Sequence, residues 1–300
     1  MGHHRLMSRR ASFVRVVAAY VLALAVAVLW LGLGPRTSSA LWDAGIADVL
    51  ATLVVFLASR VHHNSSFYDA YWSVVPPLLA VYWWWRSDAG IADAAAWATV
   101  VVVMIWAVRL TANWAIGFPG LHHEDWRYPM LRERAGRWGF AADLVAIHLI
   151  PTVQVFLGSI PLYLAVTRRP VDLPWLVVLA AIVTLAAIAL EWAADHQMRR
   201  FVAVKEPGQA MDRGLWAWSR HPNYFGEFGF WLGLYLLGAA AAPADAWWSW
   251  IGAGAMLAMF LGASIPMMEE RSLASRPTYA EVIERVPRFV PRPPRSAASR

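Results

Sequence analysis

A chain of 300 residues that is 59% hydrophobic and only 15% charged, with 19 Trp, has the composition of a polytopic membrane protein and not of a soluble domain. It contains no cysteine, which excludes disulfides, a thiolate nucleophile, thiolate zinc sites and thiolate-held iron–sulfur clusters, so redox chemistry here needs a bound organic cofactor. The formal charge of +6 comes from basic residues set between apolar runs, a pattern that reports membrane topology and not nucleic-acid binding.

In chain order the apolar runs are residues 13–34, 41–59, 73–85, 91–114, 144–166, 173–192, 225–241 and 247–267. They predict an all-α membrane bundle of about seven to eight transmembrane helices. With a cytoplasmic N-terminus, all but Arg36, Arg86, Arg168 and Arg169 of the 26 Lys and Arg fall in or beside cytoplasmic regions. The same count puts the C-terminus in the cytoplasm. The first run follows Arg9 and Arg10 and precedes Ser38-Ser39-Ala40, as a signal peptide would, but it is longer than a signal core and is read as a retained helix. The run 73–85 is short and carries Pro76-Pro77, as a re-entrant or broken helix would. Removing it would place the basic N-terminus opposite the other basic loops, so it is kept as a span.

The expected organisation is a cytoplasmic segment 1–11, N-terminal helices over 12–60, a main membrane domain with cytoplasmic loops over 61–286, and a disordered Pro/Arg-rich tail 287–300. Just before that tail, Tyr279, Val282, Ile283 and Val286 recur at helical spacing, as on a short helix lying on the membrane or folded over the loops.

Chemistry is expected where polar residues meet these runs. In Arg220-His221-Pro222-Asn223-Tyr224-Phe225-Gly226-Glu227, Pro222 suits the first turn of a helix, whose N-terminus beside Arg220 and His221 favours an anion. Glu191, Asp195 and Arg199 fall at i, i+4 and i+8 on one helical face, where Asp195 and Arg199 either pair or meet a ligand. Trp106, Arg109 and Asn113 share a face of the fourth run and suit a substrate pocket, or an Arg that snorkels to headgroups. Tyr68, Asp69 and Tyr71 place a carboxylate between phenols, the makings of a general acid, or else an interfacial aromatic belt with a loop Asp. Glu269 and Glu270 close the last run and can receive ribose hydroxyls or pair with Arg213 or Arg220. The loop His122-His123-Glu124-Asp125 lacks metal-ligand spacing, so no metal is expected.

The stretch Gly214 to Glu227, with the later Glu269-Glu270-Arg271, Tyr279 and Pro287, resembles the steroid 5-alpha-reductase-like superfamily of membrane enzymes. It looks closest to the bacterial branch catalogued as a domain of unknown function, DUF1295. Tyr68-Asp69-Ala70-Tyr71-Trp72-Ser73 and His123-Glu124-Asp125-Trp126-Arg127-Tyr128 are similar to that branch too, so the resemblance covers roughly residues 60 to 291. It implies reduction of an enone carbon–carbon double bond with NADPH. Arg220, His221, Asn223, Tyr224, Glu227, Asp195, Arg199, Glu269 and Glu270 would hold the cofactor. Asp69, with Tyr68 or Tyr71, would supply the proton. The chain departs from the family at Glu191, where Asn is expected, and at Trp106, which stands in place of the catalytic Tyr. The Arg-His-Pro-x-Tyr-x-Gly pattern also resembles isoprenylcysteine carboxyl methyltransferases, which bind S-adenosylmethionine. The expected function is therefore an NADPH-dependent reductase of a hydrophobic, bilayer-dissolved substrate. The alternatives are a methyltransferase of a lipid or prenylated acceptor, and a non-catalytic membrane subunit or carrier.

Overall fold

The computed structural model describes residues 8–293, and among them every regular element is helical. The chain forms two compact units that meet in sequence at Thr167 and Arg168.

The first unit contains α1 (Arg9–Leu33), α2 (Ala40–His62), α3 (Tyr71–Arg86), α4 (Ala94–Gly117), α5 (Arg127–Ala135) and α6 (139–167). Ser8 caps α1 by accepting from the Ala11 amide, and Asp93 caps α4 by accepting from Ala96 at 2.8 Å, which satisfies amides that a helix start leaves without partners. α1 packs along α2, while α3 packs on α4 and on the end of α6. Pro76 and Pro77 do not break α3, which runs unbroken across them. The two prolines deprive the Trp72 and Ser73 carbonyls of their helical donors. Just before them, the Ser73 hydroxyl bonds the Ala70 carbonyl and, at 3.0 Å, the Thr111 hydroxyl of α4, which ties the start of α3 to α4.

The second unit contains α7 (Pro174–Val204), α8 (Pro222–Ala241), α9 (246–275) and α10 (Tyr279–Arg285). α8 starts at Pro222, as the sequence requires. Its Gly226, Gly229 and Gly233 lie at i, i+3 and i+7 and bring it against α7. A methyl group on Gly233 would stand 2.1 Å from the Thr184 hydroxyl. Such small-residue seams let helix backbones approach where lipid supplies no hydrophobic drive for association.

Among the described residues, six stretches are long and apolar enough to cross a membrane: α1, α2, α4, Arg127–Thr167, α7 and Pro243–Ser275. This is a multi-pass membrane protein. The two other expected spans exist as helices but fall short of that measure. α3 has only 16 residues, and α8 is diluted by Glu227, its tyrosines and its glycines.

The expectation of disorder from Pro287 fails over the described part of the tail. The Pro287 carbonyl accepts from the Arg220 amide at 2.9 Å, the Phe289 carbonyl from the Ser219 hydroxyl at 2.7 Å, and the Arg292 amide donates to Trp218 at 2.9 Å. Phe289 packs on Phe225 and Phe228, so one buried aromatic ring offsets the ordering of a Pro-rich strap. Residues 294–300 of the expected tail and 1–7 of the expected N-terminal segment lie outside the described residues. α10 folds back over the preceding loop, its Tyr279, Val282 and Val286 clustering with Ala210.

Overpacking a close helix seam costs about 1–3 kcal/mol, so Gly233→Val is expected to lower the thermal unfolding temperature of the detergent-purified protein. Gly32→Ala, where nothing lies within 4 Å of the added methyl, is expected to leave it unchanged or slightly raised.

Candidate functional site

In the first unit, a cavity of about 340 Å³ lies between α1, α2 and α3. It exists because α2 turns Ala44, Ala47 and Ala51 toward it, and α1 Ala23 and Ala27, so three helix faces meet without filling the space. Its wall is apolar except for a few groups, chief among them Asp48. That carboxylate is buried in the middle of α2, where it accepts a hydrogen bond from the Tyr71 hydroxyl at 3.0 Å. A charged residue inside a spanning helix is rare without a partner or a function, and Asp48 has the phenol as its partner.

The expected trio Tyr68, Asp69 and Tyr71 is not one constellation. Tyr71 turns to Asp48, and Tyr68 bonds Thr152 at 2.8 Å, which in turn bonds Thr52 at 2.8 Å. Asp69 accepts from the Tyr128 hydroxyl at 2.5 Å, and neither Asp69 nor Tyr68 lines the cavity. Burial pushes the Asp69 carboxyl up to about 6, against the hydrogen bond from Tyr128, which lowers it. The loop 121–128 docks on the same segment. Asn64 donates to the Leu121 and His123 carbonyls, the Ser65 amide donates to Glu124, and the Asp125 amide to Ser66. Glu124 pairs with Arg132, and Arg132 and Arg60 pair with buried Asp143 at 3.2 and 3.0 Å. Among the described residues, no three His, Cys, Asp or Glu gather as a metal site. Trp106 is fully buried against Trp72, while Arg109 and Asn113 lie partly exposed further along α4, and none of the three lines the cavity.

In the second unit, Glu269 is a hub. Arg220 donates to it at 2.7 Å, His221 lies 3.2 Å from the same oxygen, and Arg288 approaches its other oxygen at 3.4 Å. Arg220 also donates to the Ile283 and Val286 carbonyls, so its guanidinium ties α9 to α10 and the strap. Of the two expected roles for Glu269, the geometry realises pairing with Arg220. Glu270 sits on the exposed side of α9, and Arg199 is exposed near the end of α7. Asn223 donates to Asp195 at 3.3 Å across the α7–α8 seam, and its own carbonyl oxygen is buried with no hydrogen-bond donor. Glu227, one turn on, is buried and accepts from the Trp231 indole at 2.8 Å. Glu191 is buried on the α7 side against Gly226. Tyr224 packs edge-on to His221 and Phe260. The Gly214-Leu215-Trp216 part of the motif docks on α7. Gly214 has a φ of +59° and no room for a side chain beside Gln197, whose carbonyl oxygen takes the Leu215 amide, and the Trp216 indole bonds the Ala194 carbonyl.

The family model described as a protein of unknown function, DUF1295, matches residues 55–286. The chain belongs to the DUF1295 family. An uncharacterized protein of Schizosaccharomyces pombe, C594.04c, is 25% identical over 258 residues, which cover 76% of this chain and 73% of that protein. No solved structure matches.

For this DUF1295 chain, sequence reasoning passed over Asp48, which sits seven residues before the matched region begins. The signal is an acidic residue in the middle of an apolar run, far from any recognisable motif.

Two outcomes are expected. Because the folded-state value of Asp69 lies above the ordinary carboxylate value, the native state binds that proton more tightly. The contribution of Asp69 to stability is therefore fully present below about pH 4 and is lost as pH rises through about 6. Thermal unfolding across this window should show the loss in wild type and not in Asp69→Asn. Glu269→Gln strands Arg220, whose side chain is only 9% exposed. Breaking such a pair costs up to about 3–5 kcal/mol, and limited trypsin digestion should then cleave faster at Arg285 and Arg288.

Proposed function

We propose that this protein is a membrane-embedded reductase that saturates the carbon–carbon double bond of a hydrophobic enone, with a reduced nicotinamide cofactor as hydride donor. The carrying observation is the Asp48–Tyr71 pair set in the wall of an apolar cavity between helices. An apolar space with one carboxyl–phenol pair suits a lipid-soluble molecule whose single polar handle is a carbonyl. Tyr71 and Asp48 meet that oxygen together. As charge develops on it, the pair donates a hydrogen bond and then a proton, giving an enol that relaxes to the saturated ketone. Donors positioned this way act most strongly where water is excluded.

The cofactor, when bound, supplies the hydride for the β carbon. The residues that suit it lie along the α7–α8 seam. Asn223 presents a buried carbonyl oxygen without a donor, a fit for the amide N–H of a carboxamide, and Asp195 and Glu227 suit ribose hydroxyls. Arg220 and His221 shape this end of the unit through Glu269, and Arg199, exposed near the end of α7, has the charge that suits a phosphate. The resemblance to steroid 5-alpha-reductase-like enzymes supports the same reading.

One observation favours a second reading. The seam gathers carboxylates, Glu191, Asp195 and Glu227, which suit a cationic ligand such as S-adenosylmethionine and hence a methyltransferase of a lipid acceptor. A non-catalytic membrane carrier predicts neither ligand.

Thermal unfolding of the detergent-purified protein with NADPH, NADH and S-adenosylmethionine in parallel separates these readings, since a ligand at a hundredfold excess over its dissociation constant adds about 2.7 kcal/mol. Stabilisation by NADPH or NADH is expected. Stabilisation by S-adenosylmethionine alone rejects the reductase. In turnover assays with a lipophilic enone, Asp48→Asn should lose about 10²–10³-fold in kcat while keeping the cofactor-induced stabilisation. A loss in Asp69→Asn with none in Asp48→Asn moves the proton source to Asp69.

A further inference from the structure

The cavity has a second polar feature that the proposed chemistry does not use. Tyr82, on α3, contributes to its wall, and the Tyr82 hydroxyl is buried without any hydrogen-bond partner. Its neighbours are all satisfied. Tyr20 donates to the Phe67 carbonyl at 2.7 Å, Tyr71 to Asp48 at 3.0 Å, and the Trp83 and Trp84 indoles donate to Ala40 and Ala89. An unbonded hydroxyl in an apolar wall is a standing cost, and it is the kind of defect a ligand removes. A buried water is a poor substitute, because it needs two to four polar partners, and the wall beside Tyr82 consists of Leu78, Leu79, Val81 and Trp85.

Helical geometry fixes where this hydroxyl lies relative to the Asp48–Tyr71 pair. Tyr71 and Tyr82 are eleven residues apart on α3, which amounts to about 16 Å along the axis and within about 20° of three full turns. They therefore share a face and mark the two ends of a slot. α1 runs beside it over the same length, from Tyr20 to Leu31. The Tyr20 and Tyr71 rings touch at 5.8 Å and close the Asp48 end. Toward the other end, Leu24 and Val28 of α1 and Val81 and Trp85 of α3 line the slot and are also 44–77% exposed, so it opens sideways between α1 and α3. In a spanning protein that side faces lipid.

We propose that this slot takes a rod-shaped amphiphile with a polar group at each end. Its carbonyl meets Asp48 and Tyr71, and an oxygen about 16 Å away accepts a hydrogen bond from Tyr82. Tyr82 is thus a specificity-determining residue, and it selects long molecules carrying a distal hydroxyl or carbonyl over plain long-chain ketones of equal length. The assignment rests on the reductase reading only for the identity of the reacting group.

The test uses saturated probes, which have no double bond to reduce, so that binding is read apart from turnover. Titration calorimetry of the protein in lipid nanodiscs compares 2-hexadecanone with its ω-hydroxy derivative. The hydroxy ketone is expected to bind about tenfold tighter, the size of one added hydrogen bond. Tyr82→Phe removes only the unpartnered hydroxyl, so it should fold normally. It should erase the preference by weakening the hydroxy ketone alone, whereas Asp48→Asn should weaken both probes. Equal binding of the two probes to wild type overturns the proposal, as does a preference that survives Tyr82→Phe. A Tyr82-dependent preference, with no NADPH oxidation by the matching ω-hydroxy enone, supports the slot assignment and retires the reductase.

Discussion

Hydrocarbon offers no hydrogen-bond partner, so every polar group kept within a spanning helix must find its partner inside the protein. The first unit meets that condition through links between helices. Tyr68, Thr152 and Thr52 form a hydroxyl chain joining the α3 entry, α6 and α2, and Asp143 collects Arg60, Arg132 and Ser65 in one buried knot. The second unit meets it through Glu269, which gathers the Arg220 guanidinium and His221 imidazole from the mouth of α8 and the Arg288 guanidinium from the strap. These knots position the backbone around them, and wherever a polar group borders unfilled volume instead, chemistry becomes possible.

Small residues decide which of the two happens. Along α8, glycines admit the α7 backbone to contact, and the polar residues of that seam are drawn together, Asn223 reaching Asp195. Along α2, alanines of the same spacing face a gap where α1 and α3 diverge, and the result is a cavity around Asp48. One device gives glue in one unit and a pocket in the other. The difference is whether a partner helix comes close enough to use the space.

Much of the helical architecture was legible as apolar runs, because a spanning helix needs length and apolarity and little else. The start of α8 was legible from Pro222, and α10 as a short amphipathic helix from the spacing of Tyr279, Val282 and Val286, though not which surface it covers. What misled were features whose meaning depends on distant partners. Pro76-Pro77 allow a broken helix as well as the span preferred for the charge pattern, and it takes packing to show that α3 is continuous, with Ser73 bonded across to Thr111. The tail read as disordered by composition, yet one aromatic residue, Phe289, finds Phe225 and Phe228. Asp69 read as the companion of its adjacent tyrosines, but its phenol is Tyr128, 59 residues away. Local spacing names the residue types that a site requires, and only packing shows which of them meet.

The bonds made by Arg220 also have an order in time. Its carboxylate, Glu269, lies 49 residues further along the chain, and the carbonyls that complete its shell lie 63 and 66 residues along. During synthesis α8 therefore emerges with a guanidinium at its mouth whose carboxylate and carbonyl partners have not yet been made. Only when α9, α10 and the strap arrive is the charge neutralised and enclosed. The same arginine is thus a lone charge on the unfinished chain and later the keystone of the finished unit.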